Sequence, residues 1–166
     1  MTTIRRAGEQ DLPAILNVVD SALKSLSDPT LFLSDGPDFY REHLKDKGFT
    51  LLAEIDGAAA AYLAVRFPGL EDDNLMRDLG FPEQELPKAA HMESVAVLPQ
   101  CRGNGLQKKL IAEAEKQLPG TIRFSLATVS PQNPGSLKSF LGLGYTVEKT
   151  VKKYGGLDRY ILLKKL

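Results

Sequence analysis

A mixed α/β fold is what the sequence predicts, and three observations predict it. Short apolar runs alternate with longer stretches of helical periodicity, in the order β-α-α-β-β-insertion-β-α-β-α-β-β. Asp56-Gly57 sits between two apolar runs and signals a hairpin. Residues 91–117 place an apolar run, a glycine-bearing turn and an amphipathic stretch in succession, a strand-turn-helix unit. At 166 residues the chain suits one domain, residues 1–166, with a real core.

The elements follow in order. Residues 2–6 read as a first strand. Residues 9–26 read as a helix with Asp11 as N-cap, Pro13 in the first turn and an apolar stripe of Leu12, Ile15, Leu16, Val19, Leu23 and Leu26. Asp28-Pro29 breaks it, and Pro37 starts a second helix to about residue 47. Residues 49–55 and 58–67 are the hairpin strands, although the alanine run 58–61 has low strand propensity. Residues 68–90, with Pro68, Gly69, Gly80, Pro82, Pro87 and several acids, read as a surface insertion with short helices near 71–79 and 83–90. After the central unit come a strand at 121–129, a helix at 131–143 ended by Gly144, and final strands at 145–151 and 157–163.

The central unit carries the functional signal. Val95-Ala96-Val97-Leu98 is stopped by Pro99. Gln100-Cys101-Arg102-Gly103-Asn104-Gly105 forms the turn, and Leu106, Leu110 and Ala114 mark the helix. The first amides of a helix lack partners and sit at the positive end of its dipole. Glycines let backbone approach a bulky anion. The stretch therefore predicts a phosphate or pyrophosphate ligand. The third glycine of a dinucleotide fingerprint and the Gly-Lys-Ser/Thr of an ATPase loop are both absent.

Composition narrows the class. Basic and acidic residues each number 21, so bulk charge gives no support to a nucleic-acid or membrane-surface role. The single cysteine, Cys101, excludes an intramolecular disulfide and fits a reducing compartment; with two histidines it builds no standard zinc site. Residues 1–13 hold no apolar signal core, and no stretch reaches membrane-spanning length. The expectation is a cytoplasmic protein with no metal and no nucleic-acid or membrane partner.

Three motifs carry a resemblance. Val97-Leu98-Pro99-Gln100-Cys101-Arg102-Gly103-Asn104-Gly105 is one. Asn133-Pro134-Gly135-Ser136 running to Gly144-Tyr145 is the second, and Ile4-Arg5-Arg6-Ala7 with Asp11-Leu12-Pro13 is the third. In that order they resemble the GCN5-related N-acetyltransferase (GNAT) superfamily over nearly the whole chain, the insertion excepted. The resemblance implies a central, mostly antiparallel sheet of about six to seven strands flanked by helices. It implies acetyl-CoA as acyl donor, with the amides of Cys101, Arg102, Gly103, Asn104, Gly105 and Leu106 on the pyrophosphate. Backbone groups of Val95, Ala96 and Val97 would meet the pantetheine arm where two strands splay, and Asn133 and Ser136 would line the other wall. It implies direct transfer in a ternary complex to an amine of a small molecule or peptide, and a homodimer is a candidate assembly.

Transfer to an amine needs a proton acceptor and a stabilised leaving thiolate. Glu93, a charge on an apolar strand, is the candidate base; in several members of the family the chain resembles, a glutamate on this strand serves as base, and His91 shares its face. Many members carry a tyrosine seven residues after the signature asparagine, where this chain has Phe140, which cannot donate a proton. Tyr154 is the substitute acid considered first, then Tyr160, with Arg159 beside the same turn; Tyr145 reads as core and Cys101 as structural. Two alternatives stay open: a non-catalytic acyl-CoA-binding domain, which Phe140 favours, and transfer of another acyl group or to another acceptor. Acceptor contacts are expected from loops 27–37, 68–90 and 152–157.

Overall fold

The computed structural model describes residues 1–31 and 36–166. Its strands are β1 (Thr2–Arg6), β2 (Gly48–Ile55), β3 (Ala58–Arg66), β4 (Ala89–Val97), β5 (Phe124–Val129), β6 (Thr146–Lys153) and β7 (Leu157–Lys165). They form one sheet in the order β1-β2-β3-β4-β5-β7-β6. Every neighbouring pair is antiparallel except β4–β5. A parallel pair needs a crossover, and here it is α4 (Leu106–Gln117). The expected alanine strand forms, because the Asp56-Gly57 turn closes it: both residues take positive φ, 49° and 83°.

Two layers of helix bury the sheet. Leu106, Leu110, Ile111 and Ala114 of α4 and Phe140 of α5 (Pro134–Leu141) pack on one face, against Leu51, Leu63, Val65 and Met92. Ile15, Val18, Val19 and Ala22 of α1 (Leu12–Lys24), with Tyr40 of α2 (Pro37–Glu42), pack on the other, against Leu52, Tyr62, Ala96 and Leu98. Several expected boundaries shift. The helix predicted from residue 9 begins with a 3₁₀ turn, and the Asp11 side chain makes no cap bond to α1. Its carboxylate instead accepts from Gly8 N–H at 2.8 Å and from Arg5. The second helix ends at Glu42, residues 121–123 lie outside β5, and β4 begins at Ala89 rather than at the apolar run.

The insertion is not a surface loop. Leu75 and Met76 of α3 (Leu75–Asp78) and Leu86 of a 3₁₀ helix (Glu83–Lys88) are buried with Ala89, Leu126, Ile161 and Leu163 in a third apolar cluster. Asn74 caps α3 and ties it down, accepting from Met76 N–H and donating to Gly69 O and Leu86 O. Charges and prolines dominate the segment's composition, so its three anchoring side chains were hidden. Of the loop expected at 27–37, residues 32–35 lie outside the described residues.

Candidate functional site

The sheet opens between β4 and β5. They pair only from Ala89↔Phe124 to His91↔Leu126, yet β4 continues to Val97 and β5 to Val129. Along the far half of β4 one edge is therefore free of strand pairing. Leu98 N–H donates to Ala60 O at 2.8 Å. Alternation along an antiparallel pair then turns the main-chain groups of Ala96 toward β3 and those of Val95 and Val97 toward the opening. Of the three residues predicted to meet a ligand through backbone, two have groups free to do so.

The turn is narrowed in the same way. Cys101 N–H already donates to Leu98 O at 2.9 Å, and Arg102 N–H to Pro99 O at 3.4 Å. Among the described residues, the amides of Gly103, Asn104, Gly105 and Leu106 have no main-chain acceptor. Gly103 and Gly105 take φ of +85° and +68°, and a Cβ on either would meet nothing within 4 Å. Glycine is required there by conformation, and the space beside it is open, as an anion cradle demands. The Asn104 amide donates to Cys101 O at 3.0 Å, and Arg102 donates to Ser25 Oγ at 3.0 Å. Cys101 is half-buried between the two helix-bearing faces.

Asn133 caps α5, accepting from Ser136 N–H at 3.3 Å. Ser136 Oγ in turn accepts from Gln107 Nε2 at 2.9 Å. Gln107 thus ties the first turn of α4 to that of α5. Sequence reasoning missed it: no local signal says that a polar residue in one helix meets a serine 29 positions on.

Glu93 owes its place to a β-bulge. The β3–β4 register runs Ala64↔Ser94 and then Val65↔Met92, so Glu93 is the extra residue. Met92, Val95 and Val97 pack toward α4, whereas Ala96 packs toward α1. Strict alternation would put Glu93 on the side of Val95; the bulge turns it to the opposite side, with His91 and Arg66. His91 Nδ1 lies 3.3 Å from one Glu93 oxygen, and Arg66 Nη1 lies 3.4 Å from the other. His91 Nε2 accepts from Leu75 N–H at 3.2 Å, which makes Nδ1 the protonated nitrogen facing Glu93. Burial pushes the Glu93 carboxyl up, but the hydrogen bond from His91, the charge His91 carries when protonated, and the charge of Arg66 outweigh it and hold it below the usual glutamate range. Glu93 is therefore ionised at neutral pH.

A cavity of about 90 Å³ joins these groups to the far side of the opening, lined by Arg66, His91, Glu93, Thr128 and Tyr154 among others. Tyr154 lies in the β6–β7 turn at φ +52°, is exposed, and its hydroxyl is 3.0 Å from Thr128 Oγ1 of β5. Phe140 does not reach the cavity: it is buried and packs edge-on against Tyr145, centroids 5.0 Å apart. Tyr145 is core as expected; burial drives its hydroxyl pKa far up, and Ser125 Oγ sits 2.6 Å away. Tyr160 packs against the α4-side core. Buried Arg159 bonds to the carbonyls of Thr30 and Asp158, bracing β7 against the segment after α1. A larger cavity, about 400 Å³, lies between Asp78, Phe81 and β6–β7 and holds none of the predicted site residues.

Comparison with known proteins bears on this geometry. A family model described as the acetyltransferase (GNAT) family matches residues 18–145. No curated protein matches the chain. Solved structures share its fold. The ribosomal-protein-S18-alanine N-acetyltransferase from Escherichia coli has a TM-score of 0.74 at 16% identity, over 99% of this chain and 94% of that one. Naa20 of Chaetomium thermophilum, in complex with a bisubstrate analogue, has 0.73 at 21%, over 99% and 86%. The yncA protein of Salmonella typhimurium, solved with its cofactor acetyl-CoA, has 0.70 at 20%, over 99% and 94%.

Proposed function

The chain belongs to the GNAT acetyltransferase family, and on that footing we propose that it moves an acetyl group from acetyl-CoA to a primary amine of a small molecule or peptide, with both substrates bound together. One observation carries this reading. β4 and β5 part after His91, and the free edge so made leads from the ionised Glu93 past Val95 and Val97 to the unpartnered amides of Gly103–Leu106. An anionic proton acceptor, a strand edge for an amide-bearing arm and an anion cradle then lie in line along one strand.

The residues fit coenzyme A on their own chemistry. Four free amides at the positive end of α4 suit a pyrophosphate, and the open space beside Gly103 and Gly105 admits it. The main-chain groups of Val95 and Val97 suit the amides of the pantetheine arm. The donor, when bound, supplies the activated acyl group. Asn133 and Ser136, tied to α4 through Gln107, form the opposing wall. Glu93 draws in the cationic acceptor and takes its proton, directly or through one water. Its lowered pKa makes it too weak to deprotonate a free ammonium, but the proton becomes acidic as the nitrogen acquires its new bond. Tyr154, whose hydroxyl reaches Thr128 on the β5 wall, donates toward the departing sulfur.

Thermal melting with acetyl-CoA, then a thiol-release screen, tests the reading. At a hundred times its Kd, acetyl-CoA should stabilise the fold by about 2.7 kcal/mol. If neither acetyl-CoA nor coenzyme A raises the melting temperature at saturation, the donor site is wrong. The amine panel holds polyamines, amino acids, aminoglycosides and peptide N-termini. The last come first, because one structural neighbour is a ribosomal-protein-S18-alanine N-acetyltransferase. Glu93→Gln should lower kcat/KM about 10²- to 10⁴-fold; an unchanged rate and pH profile would remove Glu93 from its role. A second reading, acyl-CoA binding without catalysis, is favoured by Phe140 lying in the core. Binding without thiol release across the whole panel would establish it.

A further inference from the structure

Both oxygens of Glu93 are held by groups that are themselves held by the insertion. Arg66 leaves β3 with its side chain nine-tenths buried and donates to Asp73 through both terminal nitrogens, at 2.6 and 3.0 Å. It also bonds to Glu71, and its Nη1 reaches Glu93 at 3.4 Å. On the other side, Leu75 N–H of α3 donates to His91 Nε2, which leaves Nδ1–H for Glu93. α3 cannot drift, because Leu75, Met76 and Leu86 are anchored in their own apolar cluster. A planar guanidinium gripped by two carboxylates and an imidazole with one fixed tautomer are both rigid donors. From this geometry we infer that Arg66 and His91 are positioning residues for Glu93, and that the insertion governs transfer through them.

This inference rests on the reading of Glu93 as proton acceptor, and it assigns the insertion a task that the family motifs do not. A carboxylate on a bulge would otherwise have rotational freedom. With one oxygen against Arg66 and the other against His91, its remaining lone pairs have a fixed direction into the cavity. The charged and titratable groups around Glu93 are Arg66 from β3, Asp73 and Glu71 from the insertion, and His91 from β4. His43 comes from the C-terminal end of α2, and Lys153 and Tyr154 come from the β6–β7 turn region. Lys153 is itself paired with Asp78 of the insertion at 2.8 Å.

The test reads Glu93 directly in the full chain. With carboxyl-¹³C glutamate and ¹⁵N-imidazole labels, the resonance missing in Glu93→Gln identifies Glu93, and its titration midpoint should lie below that of ordinary glutamates. Arg66→Met and His91→Phe should each raise the midpoint by about one pH unit. Arg66→Lys, which keeps the charge but not the fork, covers the case in which the methionine variant does not fold; it should raise the midpoint less. The decisive pair is Leu75→Pro and Leu75→Ala. Proline is tolerated at the first helical position, and Asn74 at ψ 120° is compatible with a following proline, so the change deletes the N–H and keeps the helix. Alanine loses the same packing but keeps the N–H. The proline variant should lose the single His91 tautomer and lower kcat about tenfold relative to the alanine variant, with KM and the acetyl-CoA melting shift unchanged. Identical His91 spectra and rates in the two variants, or an unmoved Glu93 midpoint in the Arg66 and His91 variants, would overturn the inference. If Glu93→Gln instead leaves turnover intact, it is the reading of Glu93 as proton acceptor that fails.

Discussion

The two halves of the opening along β4 are held by different kinds of bond. From Val95 to Leu106 the groups offered to a ligand are main-chain amides, set by strand pairing, by two glycines at positive φ and by the start of a helix. Around Glu93 they are side chains from five separate stretches, brought together by a bulge and by an insertion with its own apolar anchor. The first half is local in sequence and tolerates any residue whose backbone takes the right path. The second depends on particular side chains far apart in the chain, and a conservative change at one reaches the others through Arg66.

The largest expected effect would break the main-chain half alone. Gly103→Glu forces a side chain into left-handed backbone, at about 1–2 kcal/mol, and sets a carboxylate where an anion should bind. The acetyl-CoA melting shift should disappear, while the ¹³C titration of Glu93 stays as in the unaltered chain. Next, Tyr154→Phe removes the hydroxyl that meets Thr128. It should lower kcat by about tenfold to a hundredfold and leave coenzyme A binding unchanged, measured by single-turnover kinetics and calorimetry. A change in binding but not in kcat would move Tyr154 from chemistry to ligand contact. Gln107→Ala cuts the tie between α4 and α5 and should weaken coenzyme A binding by about 0.5–1.5 kcal/mol, about two- to twelvefold in Kd.

The smallest effect is a matter of pH. Asp11, through the hydrogen bond from Arg5, and Asp73, through that from Arg66, are held below the usual aspartate range. In the unfolded chain they bind protons at higher pH than in the folded one. Their contribution is therefore complete above the ordinary carboxylate range and is lost as pH falls through their lowered values. Melting temperature should be flat near neutrality and drop below about pH 4, where free aspartate titrates. Arg5→Met should flatten that drop without changing acetyl-CoA binding, which separates a scaffold ion pair from both halves of the site.

Much of this is legible in the amino-acid sequence. Val97 to Leu106 announces its strand, turn and helix within ten positions, because glycine, proline and apolar period act on immediate neighbours. Glu93 was conspicuous as a charge on an apolar strand. The single-file signals misled where a distant partner decides. Asp11 had the spacing of an N-cap but is claimed by Arg5, which β1 places beside it. Cys101 and Arg102 have the position for anion-binding amides, but there the deciding partner is local: both amides close a 3₁₀ turn on Leu98 O and Pro99 O. The insertion looked like surface because its prolines and acids outnumber the three side chains that bury it.

Sequence alone determined the order of elements and pointed to the family and to the turn at 101–106 as a candidate anion site, since the signals of each strand, turn and helix act within a few positions. Only the tertiary structure decided where β4 and β5 part, which main-chain groups face that gap, and that a one-residue bulge turns Glu93 away from Val95 toward Arg66 and His91. Register and side-chain clustering are set by contacts between segments tens of residues apart, and a one-residue slip reverses every face of a strand.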